Sequence, residues 1–126
     1  MIKRTVQVIL DALVCPDSEL SILFVDDPQI EKLNQQYLKR KGPTNVIAFA
    51  MRDGEFSDLS PHLLGDVVIS TDTAAREAQT AAISMEHRIN ELLVHGILHL
   101  LGYDHETNDE EARVMEEKSR QLLALL

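Results

Sequence analysis

The sequence predicts an α+β domain: a small mixed sheet of three to four strands packed against about five helices, one of them central and buried. Three observations predict it. Short apolar, β-branched runs alternate with helical periodicity in the first half of the chain. The second half is helical almost throughout. Residues 91–101 are apolar on nearly every side, which marks a helix enclosed by other elements. The 126 residues suit a single domain over 1–126, with no internal repeat, low-complexity tract or linker to divide it.

Residues 3–14 place Val6, Ile9, Leu10, Leu13 and Val14 at helical spacing, and Pro16 closes the segment. Leu20–Val25 reads as a buried strand. Asp27 offers an N-cap with Pro28 at the first helical position. Ile30, Leu33, Tyr37 and Leu38 give that helix one apolar face, and Gly42-Pro43 stops it. Thr44–Ala50 reads as a second strand and Gly65–Ser70 as a third, separated by a polar, turn-rich stretch over 51–62. Thr71–Ala82 is an Ala-rich helix capped by Thr71 or Thr73. Ser84 caps the next helix, Glu86 suits the positive end of its dipole, and Gly102 suits a left-handed C-terminal cap. Thr107 and Glu110 form a capping box that opens a last helix carrying Val114, Met115, Leu122 and Leu123. Strand pairing cannot be read from the chain.

Composition excludes several classes. Apolar residues make up 44% and charged residues 26%, a globular balance. No apolar run approaches the ~18 residues of a membrane span, and the basic start MIKR is followed by neither a continuous apolar stretch nor a cleavage site. Cys15 is the sole cysteine, which excludes an internal disulfide and a Cys-rich zinc module and points to the cytoplasm. The net charge of −9 is carried by residues 53–126, which hold five Lys/Arg and fifteen Asp/Glu. Such a chain has no general attraction for nucleic acid, and DNA is not an expected partner. RNA would need a local basic surface. Lys39-Arg40-Lys41 is the candidate, although such a run is equally a solvated helix end favoured by the dipole.

Three of the five histidines fall within residues 95–105. His95 and His99 are i and i+4 on a helix, so they emerge on one face within reach of one ion. A turn after Gly102 brings His105 within reach as a third ligand. Three imidazoles suit one zinc ion and leave a fourth position for water. The spacing matches HExxHxxGxxH of zinc peptidases except that Gly96 stands where their general-base glutamate belongs. A glycine inside a helix costs ~1 kcal/mol against alanine, and close approach by a substrate, by a neighbouring backbone or by a packed element accounts for it.

HGILHLLGYDH over 95–105 resembles the signature of the YbeY family of bacterial metal-dependent endoribonucleases. Pro43–Phe49 (PTNVIAF) and Leu64–Ser70 (LGDVVIS) resemble that family's upstream segments in order and separation, so the resemblance covers roughly residues 20–120. It implies a zincin-like arrangement with one zinc ion on His95, His99 and His105. It also implies cleavage of single-stranded RNA, maturation of the 3′ end of 16S ribosomal RNA and ribosome quality control, with ribosomal RNA and the small subunit as partners. Two features depart from the family. Its members begin with a strand ahead of the first helix, so an edge strand is expected to be missing here. They also carry an arginine where this chain has Leu38. The candidates for catalytic roles are then Arg40 and Asp104, the latter as acceptor for a ligand imidazole or simply as a turn former. Lys39, Arg40 and Lys41 are the candidate RNA contacts. A zinc peptidase-like hydrolase, and an assembly factor with structural zinc, are the competing readings.

Overall fold

The computed structural model describes residues 2–51, 62–103 and 108–126. Helix α1 (Ile2–Ala12) is followed by β1 (Glu19–Val25), α2 (Asp27–Leu38), β2 (Val46–Ala50), β3 (Leu63–Ser70), α3 (Thr71–Ala81), α4 (Met85–Leu100) and α5 (Asp109–Leu123). The α+β class holds, with three strands among the described residues in the order β1-β3-β2. β3 pairs parallel with β1 and antiparallel with β2, which makes the sheet mixed.

Alternation along β3 divides the core. Val67 and Ile69 face α4 and α1, while Val68 joins Ile47 and Ile30 on the opposite face, under α2. α4 is the element that the larger cluster surrounds. Its Leu92, Leu93, Val94, Ile97, Leu98 and Leu100 are all buried, and each such burial is worth about 1.5–3 kcal/mol. This is the all-round apolar helix that the sequence predicts. None of the described helices is long and apolar enough to cross a membrane.

α4 lies so close to the sheet because of Gly96. A Cβ built there would stand 2.7 Å from Val67 Cγ1 and 3.1 Å from Val67 Cγ2. The glycine therefore answers to helix-on-sheet packing against Val67.

Several boundaries differ from the expectation, each for a local reason. α1 ends two residues early, and Val14 takes a left-handed conformation (φ 60°) with 86% of its surface exposed. It occupies the position past the helix where the Cys15 and Val14 amides bond back to the Leu10 and Asp11 carbonyls, so it turns away from the apolar face. Asp26 caps α2 in place of Asp27, in a reciprocal box with Gln29. Tyr37 and Leu38 are exposed, although Tyr37 meets Phe49 edge-on at 5.5 Å. Ser70 caps α3 in place of Thr71 or Thr73. Asn108 caps α5 by accepting from the Glu111 amide. Thr107, expected there, lies outside the described residues. Val114 is exposed, while Met115 and Leu122 hold the buried face of α5. Ser84 caps α4, accepting from the His87 amide, as the sequence predicts.

Displaced from capping, Asp27 ties two helix starts together. β1 and β3 are parallel neighbours, so the helices that follow them begin side by side. One Asp27 oxygen accepts from Ser70 Oγ and Thr73 Oγ1, both at 2.6 Å, and the other from Arg76 Nη2 at 2.7 Å. The Asp27 amide donates in turn to Asp72 Oδ2 at 3.0 Å. Hydrogen bonds from Ser70 and Thr73, then Arg76, hold the Asp27 pKa at about 2, below the ordinary 3.8.

Two outcomes follow. Gly96→Ala gains helix propensity of about 1 kcal/mol but forces a methyl group onto a buried, stiff valine at a cost of about 1–3 kcal/mol, so a net loss of stability is expected in chemical denaturation. Because the folded pKa of Asp27 is depressed, its contribution is complete above 3.8 and disappears as pH falls through about 2. The gap in Tm between the wild type and Asp27→Asn is therefore expected at neutral pH and should narrow across that window.

Candidate metal centre

One turn of α4 separates His95 from His99, and their rings meet on one side of the helix with both half-buried. Nε2 of one lies 3.0 Å from Nε2 of the other, with ring centroids 4.5 Å apart and planes at 73°. Neutral, the rings share a hydrogen bond, and two ring nitrogens this close can instead share a cation. Tetrahedral zinc with bonds of ~2.0–2.1 Å needs its nitrogen donors a little over ~3 Å apart, so the pair fits two adjacent corners of such a site with little movement.

The chain then reverses sharply. The Gly102 amide donates to the His99 carbonyl and the Tyr103 amide to the Leu98 carbonyl, each at 3.0 Å, while Gly102 adopts φ 101°. This double bond pattern is the helix stop that the sequence predicts at Gly102, and it sends the backbone away immediately after the second histidine. Asp104 and His105 lie outside the described residues. Among the described residues no group of three His, Cys, Asp or Glu side chains is placed to hold a metal.

Toward the start of α4, a polar cluster borders the same side of the helix. Arg88 donates through Nε and Nη2 to Glu77 Oε1 at 3.1 and 2.8 Å, and through Nη1 to Glu91 Oε1 at 2.9 Å. Burial works against the Arg88 charge, but the bonds and negative charges of Glu91 and Glu77 outweigh it and raise its pKa. Asn45 Nδ2 bonds both Glu77 oxygens, at 3.2 and 3.3 Å. A cavity of about 290 Å³ runs from this cluster to His95. Sequence reasoning passed over these residues. Arg88 and Glu91 precede His95 by seven and four positions, a spacing that puts all three on one face. Asn45 and Glu77 come from other elements and leave no such signal.

The basic candidates belong to a different element. Lys39, Arg40 and Lys41 are exposed at the end of α2, and α2 packs on the sheet face opposite α4. Lys39 forms the left-handed C-cap, and its ammonium donates to the Gln36 carbonyl. The basic run is thus in part a helix terminator. The position of the peptidase glutamate, Gly96, faces Val67 in the core and has no room for a carboxylate.

Fold and site together define a class: an α+β domain whose buried helix presents a paired imidazole donor set beside a polar recess. The chain belongs to the YbeY family, whose description, Endoribonuclease YbeY, is matched over residues 1–126. The Endoribonuclease YbeY of Syntrophotalea carbinolica is 53% identical over 124 residues, covering 98% of this chain and 83% of that protein. That of Geobacter sulfurreducens is 52% identical over 126 residues, covering 99% and 84%. The solution structure of TM1509 from Thermotoga maritima superposes with a TM-score of 0.68 at 26% identity, covering 98% of this chain and 77% of that one.

His99→Ala removes one donor of the pair. Zinc affinity measured by competition with a chromophoric chelator is expected to fall by more than the about 10–100-fold that loss of an outer-shell partner costs. Unchanged affinity would dismiss the pair as ligands.

Proposed function

We propose that this chain is a zinc-dependent endoribonuclease that cleaves single-stranded RNA in the cytoplasm. It matures the 3′ end of 16S ribosomal RNA and takes part in ribosome quality control, with ribosomal RNA and the small subunit as its partners. Family membership supports the endoribonuclease activity. The single observation that carries the metal dependence is the approach of His95 Nε2 to His99 Nε2.

His95 and His99 hold the ion together with His105. When bound, zinc supplies Lewis acidity toward a phosphoryl oxygen and an acidic water, chemistry that needs no glutamate base. Neutral imidazoles leave the dipositive charge uncompensated by ligands, which favours an anionic phosphodiester. Asp104 orients a ligand imidazole, and Arg40 stands as the candidate cation in place of the arginine that Leu38 replaces. Lys39, Arg40 and Lys41 form a local basic edge on a chain of net charge −9 and engage the RNA backbone away from its acidic remainder. The peptidase reading loses its support because residue 96 faces the core.

Zinc-loaded protein is expected to cut a single-stranded RNA oligomer internally and to leave an unstructured peptide intact. Thorough chelation should abolish cutting, zinc should restore it, and His99→Ala should stay inactive. Cutting that survives metal removal, monitored by gel electrophoresis alongside metal analysis, would sink this reading.

A further inference from the structure

We infer that the recess beside His95 is a guanine-binding site that selects the nucleotide flanking the scissile phosphate, an inference that rests on the endoribonuclease reading above. Glu91 lies one helical turn from His95, about 6 Å along the axis, so a group seated against it is within one nucleotide of the imidazole pair. The cavity of about 290 Å³ has Val46, Leu92 and Leu123 as apolar walls, with Asn45, Arg88, Glu91 and Ser119 as polar ones beside His95.

Its charge selects against phosphate. Arg88 is the cation, but it is held between two carboxylates, so the trio carries one net negative charge. A neutral, flat group with its own hydrogen-bonding edge suits such a place, and an unstacked nucleobase is that group. Arg88 is also rigid, because both carboxylates fix the guanidinium plane.

The hydrogen-bonding capacity left over indicates which base. Of the five N–H donors of Arg88, three are engaged among the described residues, leaving two. Glu91 gives one oxygen to Arg88, and its other oxygen has only His87 Nε2 at 3.8 Å. Asn45 turns its amide nitrogen to Glu77, which leaves Oδ1 as an acceptor bonded to none of the described residues. The recess thus offers acceptors on Glu91 and Asn45 beside an Arg88 donor, with the Ser119 hydroxyl able to serve as either. Guanine presents the complement, N1–H and N2–H beside O6, whereas adenine, cytosine and uracil each present a single donor atom on that edge.

The test is a titration of zinc-loaded protein with guanosine and with uridine, followed by the Asn45 side-chain amide resonance, alongside cleavage-site mapping on a random single-stranded RNA library. Guanosine is expected to bind in preference to uridine, and cuts should concentrate beside one guanine position. Glu91→Gln should weaken guanosine binding by about tenfold or more and flatten the cleavage preference at unchanged zinc content. Asn45→Ala serves as the second variant should Glu91→Gln fail to fold, with the same expected loss read on backbone amide resonances. Equal binding of both nucleosides, or a variant that binds guanosine like the wild type, overturns the proposal whatever the protein does to RNA. Selective guanosine binding without any RNA cleavage supports the recess and overturns the endoribonuclease reading instead.

Discussion

Where Gly96 meets Val67, the axis of α4 comes closer to the sheet than any side chain larger than hydrogen permits. That approach governs the register of the whole helix. With residue 96 pressed on the sheet, Leu93, Ile97 and Leu100 go into the core beside it, and positions 88, 91, 95 and 99 are left along another flank. The imidazole pair and the Arg88 cluster share a side of α4 because the glycine has fixed which side meets the sheet. A zinc peptidase places a glutamate at the same point, so this packing and that catalytic base are mutually exclusive here.

The second constraint is electrostatic and lies at the end of the sheet where β1 and β3 both run into helices. Parallel pairing puts two helix N-termini together, and their partial positive charges reinforce each other. Asp26, Asp27 and Asp72 answer that charge, Asp27 by accepting three hydrogen bonds from α3 and its cap. The clamp joins α2, which covers one sheet face, to α3, which packs against α4 on the other.

Charge is distributed with similar economy around the candidate site. The chain carries a net charge of −9, and some of its acidic groups are tied up in ion pairs. Glu77 and Glu91 are committed to Arg88, and the cations of residues 39–41 are exposed past the end of α2.

The sequence by itself determined the α+β class, the order of the elements, the buried character of α4, its Ser84 and Gly102 ends and the pairing of His95 with His99. All of these rest on spacings of a few residues, where backbone periodicity and capping chemistry act locally. Boundaries failed where two neighbouring residues offered the same chemistry. Asp26 competed with Asp27 and Ser70 with Thr71 and Thr73, and only contacts across the fold chose between them: Asp27 was drawn off to Ser70, Thr73 and Arg76. Tertiary structure alone decided the β1-β3-β2 order, the reason for Gly96, and the meeting of Asn45 and Glu77 with Arg88. Those contacts join residues 11 to 49 positions apart, and no local propensity encodes a partner at that distance.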